Sequence, residues 1–585
     1  MNYLRIFLLM LLFVWALSSC KEKNATAANQ TSIQNKTWWK EAVIYQIYPR
    51  SFKDSDGDGI GDIKGIISKL DYIQSLGIDA VWLNPIYESP NKDNGYDISD
   101  YRNVSKQFGS MNDFDTLLAG FHNRGIKVFM DLVVNHCSNE HPWFKEASKS
   151  RNSPYYNYFH WWPAEKGEPP YRFSIFDEKG YGWEFNKATN SYYLHYFGDF
   201  QPDLNWENPK LRQEVYDIMK FWSKKGIDGF RMDALAFISK DTTWPGLPAE
   251  YNGNWPLYYA SGPHLHDYIQ EMNKEVLTPY KLATVAEAMG DVPRVKKFVD
   301  EDRNELNMAY NFEAIDFGYL PNEYKMPDPK GWDLVKWKQI YKRWDSAFSE
   351  KGWGTVYLAN HDQPRMVTRW GNDAPEFREL SSKMLNTFIL TMRGTAFTYY
   401  GDEIGMNNIK FDKVEDYNDV ELLTNYAQVK AKGGDLKRFL EGMKISSRDN
   451  GRTPMQWDST AGAGFTLATP WLKINPNYTT VNVAAAEANN NSALHYFRKL
   501  TKLRKANEAL QYGTFTLVDA DNPDVFAYTR TLNNKIFLIL LNFKNKTATV
   551  KTGLDLSKGK TVLNNYGSAN VSETLQPYEA SVIEL

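Results

Sequence analysis

Three short apolar runs in this 585-residue chain end in carboxylates. "GFRMDA" carries Asp233, "TVAEA" carries Glu287 and "LANHDQPR" carries Asp362. A fourth run, "DLVVNH", ends in Asn135 and His136, and His361 directly precedes Asp362. Residues two apart in a strand share a face, so Arg231 and Asp233 should point the same way. Taken alone, that pair reads first as a structural ion pair or a helix cap. Three acids converging on one place are different, because their repulsion is costly unless a cation or a proton offsets it. The chemistry open to them is cleavage of a glycosidic bond. One carboxylate attacks the anomeric carbon while a second, protonated, donates to the leaving oxygen. Arg231 is expected to keep Asp233 ionised. Glu287, among small apolar neighbours and other acids, is expected to have the raised pKa of a general acid.

The elements that must position these residues follow from the apolar pattern. From Trp38 onward, eight apolar runs, from "AVIYQIYP" to "GTAFTYYGDE", alternate with amphipathic stretches. "IKGIISKLDYIQSLG" puts Ile66, Leu70 and Ile73 on one helical face, and "FRELSSKMLNTFILTMRG" is an apolar helix stopped near Gly394. Near-continuous apolar strands alternating with helices imply a parallel sheet covered on both sides. Eight such units close into an α/β (β/α)₈ TIM barrel, whose strand C-termini carry the active site. Two intervals are too long for plain connections. An inserted small domain is expected after strand 3, over residues 137–206, and a second excursion over about 403–478. The barrel then takes 38–136 and 207–510. "FTLVD", "VFAYTRTL", "KIFLILLNF", "ATVKT" and "ASVIEL" read as strands of a C-terminal antiparallel β-sandwich over 511–585.

Composition sets the outer bounds. Net charge is −3, which gives no basic footprint for nucleic acid. Aromatics make up 15% of the chain, with 36 Tyr and 19 Trp, a surplus suited to stacking on sugar rings. The N-terminus has Arg5, an apolar run from Ile6 to Leu17, and then Leu17-Ser18-Ser19-Cys20. The run is too short to span a membrane as a typical helix and fits a signal segment. Its end resembles the lipobox of bacterial lipoproteins, with cleavage before Cys20 and lipid attached there. Residues 1–19 are then the signal peptide and 20–37 a polar tether. Such a protein would be exported, anchored by that lipid, and act as a monomer at the periplasmic or cell-surface side. Cys137 alone remains in the mature body, so no intrachain disulfide forms, and it reads as a small buried residue. His141 and His195 read as hydrogen-bonded structural residues.

DLVVNH, GFRMDA, TVAEA and LANHD, in this order, resemble the four conserved regions of the α-amylase superfamily, glycoside hydrolase family 13. "QPDLNW", "DNGYDISDY", "RDNGRTPMQW" and "TPWLKINPNY" are similar to segments of its oligo-1,6-glucosidase subfamily. The resemblance implies that Asp233 is the nucleophile, Glu287 the acid/base and Asp362 the third acid, which holds sugar hydroxyls. It implies that His136 and His361 bond the glucose in the −1 subsite, above Tyr96 as an aromatic platform and beside Arg231. Asp93 and Arg452 match a pair that grips the non-reducing end, closes the pocket and makes the enzyme exo-acting. Phe173 or Phe176, in the inserted domain, is a candidate sugar contact.

"DSDGDGIGD" places Asp54, Asp56, Asp58 and Asp62 at alternating positions around Gly59. Hard oxygen ligands at this spacing suit Ca²⁺, with the Ile60 carbonyl as a further ligand. The EF-hand glutamate is absent, since Gly65 stands at the twelfth position. The loop resembles the calcium loop that follows the first barrel strand in this subfamily, and Mg²⁺ could also occupy it.

The expected activity is release of α-glucose from the non-reducing ends of short α-glucans, with retention. Ala234 follows the nucleophile. In the resembling subfamily, valine there goes with α-1,6 links and alanine or threonine with α-1,4, so α-1,4 is expected to be preferred. The alternatives are an oligo-1,6-glucosidase, a transglycosylase or isomerase of the trehalose synthase or sucrose isomerase type, and a non-catalytic glycan-binding lipoprotein.

Overall fold

The computed structural model describes residues 37–251 and 254–585; the lipobox, with Cys20, and the tether up to residue 36 lie outside them. Residues Trp38–Glu41 form one short helix. The body from Ala42 is built on eight parallel strands: β1 Val43–Ile47, β2 Ala80–Leu83, β3 Lys127–Val133, β4 Gly229–Asp233, β5 Ala283–Ala286, β6 Met308–Ala309, β7 Thr355–Val356 and β8 Thr395–Tyr399. They hydrogen-bond in the order β6-β5-β4-β3-β2-β1-β8-β7. A parallel bridge between Ala309 and Gly354 joins the two edges, so the sheet is closed into a barrel. Nearly every strand residue is buried, as expected for a parallel sheet wrapped by helices.

A helix follows each strand, the longest being Pro209–Lys225 after β3 and Pro375–Thr391 after β7. The first starts with Asn208 as cap and Pro209 in its opening turn, and stops at Gly226 in the left-handed conformation (φ 107°). The stretch read as one helix from Ile63 is two, Ile63–Ile67 and Leu70–Ser75. Ser68 bonds back to the Gly65 carbonyl at the break, while Ile66, Leu70 and Ile73 all stay buried.

Between β3 and the helix Pro209–Lys225, a three-stranded antiparallel sheet forms from Trp161–Pro163, Ser191–Leu194 and Trp183–Asn186. The bridge His136–Asp203 and the hydrogen bond from Leu204 N to the Asn135 carbonyl tie this insertion back to the end of β3. After β8 come the helices Val420–Ala431, Leu436–Ser446 and Arg448–Arg452. The C-terminal part has a five-stranded antiparallel sheet and a two-stranded one, Ala548–Thr549 with Thr574–Leu575. Its strand Lys560–Asn564 was not among the runs read from sequence. "KTVLN" has only a weak apolar alternation, and its place comes from pairing with Ala580–Glu584 through a bulge.

Candidate active site

The strand register builds the centre of the site. β3 and β4 pair with Asp131 opposite Arg231 and Val133 opposite Asp233. Asp131 and Arg231 therefore meet: Arg231 Nη1 donates to Asp131 Oδ1 at 2.8 Å and to Asp233 Oδ1 at 2.5 Å. Nη2 donates to Glu287 Oε1 at 2.7 Å. The guanidinium is 1% exposed and lies over the ring of Trp82, at 5.3 Å from its centroid. At the end of β4 the chain turns through Ala234 in the left-handed conformation (φ 45°). That turn aims the Ala234 N–H at Glu287 Oε2, 2.8 Å away. Both catalytic candidates are thus held by adjacent nitrogens of one guanidinium. Retaining glycosidases keep their carboxyl groups about 5–5.5 Å apart, inverting ones about 6.5–9.5 Å, and a shared guanidinium suits the shorter separation.

The expectation that Arg231 simply keeps Asp233 ionised is corrected here. Three carboxylates share that one cation. Burial pushes the Asp233 carboxyl well above its usual range; Arg231 opposes this, while Glu287 and Asp131 add to it. Asp131 is pushed up to about 6 by burial, against the pull of Arg231. The cluster suits one bound proton, which is the stoichiometry that an acid and a nucleophile side by side require.

Asp362 sits in the opposite electrostatic setting. Burial works against its charge, but His361, Arg448 and Arg452 outweigh it and hold the carboxyl well below the usual range. Arg448 Nη1 and Arg452 Nη2 each donate to Oδ1 at 3.1 Å, and His361 Nε2 lies 3.1 Å from Oδ2. The His361 tautomer follows from its neighbours. Gln46 Nε2 can only donate, so Nδ1, 2.9 Å away, accepts and Nε2 carries the proton. Nε2 is also 2.6 Å from the Tyr96 hydroxyl, which donates onward to Asp131 Oδ2 at 3.1 Å. A chain of hydrogen bonds therefore connects the third acid to the Arg231 cluster. The rings of Tyr96 and His361 stack at 5.3 Å and 8°. Burial pushes the His361 imidazole down to about 4.

His136 is buried and pushed down to about 3 by desolvation. Its Nδ1 accepts from Asn135 Nδ2 and its Nε2 faces the Tyr96 carbonyl, both at 3.2 Å. Gln201 Nε2 is 3.2 Å from His136 Nε2 and donates to Asp93 Oδ2 at 2.9 Å. Burial, opposed by Arg448, pushes the Asp93 carboxyl up to about 7. Asp93 and Arg452 do not form a direct ion pair: Arg452 is engaged with Asp362 and, through Nε, with the His361 carbonyl at 2.8 Å. They are separate groups, each within Coulombic reach of the other. Of the two phenylalanines, Phe176 faces this side. Arg448 lies over its ring, and its ring is 5.8 Å from Phe197, which contacts His136. Phe173 instead packs on Trp255 at 4.9 Å.

Four functional residues were missed. Asp131 and Gln201 lie inside quoted motifs but carry no strand-end signal. Arg448 clamps Asp419 and Asp362, and its i, i+4 spacing from Arg452 on a short helix was the available clue. Lys240, fully buried, pairs with Asp203 Oδ2 at 3.0 Å and donates to Asn135 Oδ1 at 2.7 Å. That pair fixes the insertion's "QPDLNW" against the residue next to His136. Cys137 is a buried free thiol, His141 caps the helix Pro142–Ala147, and the His195 imidazole contacts the Phe197 carbonyl.

In the acidic loop, carboxylate oxygens of Asp54, Asp56 and Asp58 come within 4.8 Å of one another. That donor set of hard oxygens fits a divalent cation. Asp62 is not in this group. Its oxygens accept from Ser55 N, Ser55 Oγ and Gly65 N at 2.6–2.8 Å, capping the helix Ile63–Ile67.

A barrel mouth with these acids is that of a glycoside hydrolase. Comparison with known proteins places it more narrowly. The alpha-amylase catalytic-domain model matches residues 46–513. The oligo-1,6-glucosidase of Parageobacillus thermoglucosidasius is 47% identical over 94% of this chain and 99% of its own. The glucan 1,6-alpha-glucosidase of Streptococcus pneumoniae is 42% identical over 94% and 99%. Among solved structures, the isomaltulose synthase of Klebsiella sp. LX3 superposes with a TM-score of 0.90 at 42% identity, covering 94% of this chain and all of its own. The chain belongs to the alpha-amylase family of glycoside hydrolases.

Proposed function

We propose that this chain is a retaining exo-α-glucosidase that releases α-glucose from the non-reducing ends of short malto- and isomalto-oligosaccharides, with α-1,4 links preferred. The observation that carries the reaction is the Arg231 clamp on Asp233 and Glu287. Asp233 attacks the anomeric carbon and the glycosidic C–O bond breaks, while Glu287 gives its proton to the departing oxygen. Glu287 then takes a proton from water, whose oxygen displaces Asp233, and two inversions leave α-glucose. Asp362, held ionised by Arg448 and Arg452, accepts from sugar hydroxyls. Gln201, Asp93 and Arg452 close the non-reducing end. The α-1,4 preference rests on the small side chain of Ala234. The names of relatives at 45–47% identity favour a second reading, α-1,6. Incubation with maltose, isomaltose, trehalose and sucrose, with every product identified by NMR, tests both. Release of β-glucose would overturn retention, and isomaltose turned over tenfold faster than maltose would decide for the second reading. Isomerised disaccharides in place of glucose would favour the synthase-type alternative.

The same reading covers three further points. Asp54, Asp56 and Asp58 hold Ca²⁺, with Asp62 and the Ile60 carbonyl at the loop's far end; Mg²⁺ fits the same donors. The cation stabilises the loop and takes no part in the reaction. Lipid on Cys20 anchors an exported monomer. Incorporation of a labelled fatty acid, lost in Cys20→Ala, checks the anchor.

A further inference from the structure

Among the cavities of the described residues that the catalytic reading does not use, one is lined by unpaired polar groups. It has a volume of about 180 Å³ and lies between the inserted domain and the loop that follows β4, lined by Arg172, Tyr196, Asp241, Tyr258, Tyr259 and Ser261 among others. Arg172 is 1% exposed. Its guanidinium lies over the rings of Tyr259 (4.6 Å) and Trp244 (5.3 Å) and donates to the Tyr171 carbonyl at 2.7 Å. Among the described residues no carboxylate comes within 4.0 Å of it, although a guanidinium has five N–H donors to place. The buried Ser261 hydroxyl has no hydrogen-bond partner, and its backbone is held at φ 60°. Such unpaired groups are rare in a native interior. Asp241, on the same wall, uses one oxygen for Thr243 N and Oγ1, at 2.9 and 2.6 Å.

The lining selects its ligand. One arginine and one aspartate make it neutral overall, so a bare anion would meet Asp241 and a cation would meet Arg172. An apolar ligand would leave the Arg172 Nε–H and the Ser261 hydroxyl unpaired. A neutral ring carrying several hydroxyls can accept from Arg172, donate to Asp241, exchange a bond with Ser261 and lay its C–H face on a tyrosine. The volume is well below the roughly 300–1,000 Å³ of pockets for drug-sized ligands, which suits a single sugar ring. None of the six named residues bonds Asp233, Glu287 or Asp362. We infer that this cavity is a second, non-catalytic site for one aldohexose in pyranose form, such as the glucose the reaction releases. Only the choice of glucose rests on the proposed function; the cavity's chemistry does not.

The test uses the full chain with its catalytic pocket filled by one equivalent of a tight-binding iminosugar, and glucose binding read by saturation-transfer NMR. The glucose signal should persist. It should weaken about 3- to 10-fold in affinity in Ser261→Ala and in Asp241→Asn, each removing one hydrogen bond. Both variants should keep the melting temperature and kcat/KM on an aryl α-glucoside, which separates this result from failure of the catalytic reading. Arg172 is left intact because its burial makes a variant there prone to misfold. Loss of the signal on adding the iminosugar would overturn the proposal, as would equal binding by both variants. So would a melting temperature raised by chloride or phosphate but not by glucose.

Discussion

Asp131→Asn separates positioning from chemistry at this site. Asp131 Oδ1 accepts from Arg231, while Oδ2 accepts from Trp82 Nε1 at 3.0 Å and the Tyr96 hydroxyl at 3.1 Å. An asparagine keeps the shape but has only one accepting atom. Whichever way the amide turns, its NH₂ faces donors, and either Arg231 or the Trp82–Tyr96 pair loses its acceptor. A hydrogen bond to a charged group is worth about 1.5–3 kcal/mol. If that loss falls on the orientation of Arg231, kcat/KM drops about 10- to 150-fold. The substitution also removes one of the charges that push the Asp233 carboxyl up. The acid limb of the kcat/KM profile, which reports the nucleophile in the free enzyme, should therefore move to lower pH. A purely structural role would lower activity without moving that limb. The assay is kcat/KM on an aryl α-glucoside from pH 4 to 8, with a urea melt as control. Activity within threefold of the parent and an unmoved limb would refute the argument that Asp131 sets the field at Arg231.

Lys240→Met leaves Asp203 buried without its cation and should cost about 3–5 kcal/mol; adding Asp203→Asn should recover most of it, and a single variant as stable as the parent in urea would contradict the account. Asp93→Asn should stabilise the fold at pH 8 while raising KM. A carboxyl with pKa about 7 in the fold and about 3.9 unfolded binds its proton more tightly when folded, so it costs stability as pH rises from about 4 to 7. Removing it should return up to about 4 kcal/mol at pH 8 and little at pH 4, and equal urea midpoints at pH 8 would sink this. Ala234→Val should shift the kcat/KM ratio toward isomaltose at least about 10-fold, and should lower the melting temperature, since a β-branched residue at φ 45° is strained; an unchanged ratio would remove Ala234 as the determinant. Chelation should lower the melting temperature and added Ca²⁺ restore it, with no shift in a fully stripped sample counting against the loop.

The barrel and its acids were legible because strand ends leave a sharp trace. An apolar run that stops in a polar residue is visible in one dimension, and four such runs in order define one face. Asp131 left no trace, since a single acid at the head of "DLVV" looks the same whether it faces Arg231 or solvent. Only the β3–β4 register decides that. Gln201 and Arg448 lie in long excursions, where which side chain reaches the pocket depends on packing between segments 86 to 108 residues apart. The loop carboxylates show the same limit. Alternation predicts four aspartate ligands, but it does not show that Asp62 also caps the helix Ile63–Ile67 through Ser55 and Gly65, while Asp54, Asp56 and Asp58 group together.

The closure of the barrel has a consequence for how the enzyme is lost. β6 and β7 contribute two residues each, and the bridge between Ala309 and Gly354 is what joins the edges. Opening there breaks the fewest inter-strand bonds, so this seam is the natural starting point for partial unfolding. Asp362 sits on the chain leaving β7, whereas Asp233 ends the better-paired β4 and Glu287 follows β5. Heat should therefore detach Asp362 first and leave Asp233 and Glu287 in place. Inactivation would then run ahead of global melting as a reversible step, and protection of β7 amides from exchange would set the enzyme's working lifetime.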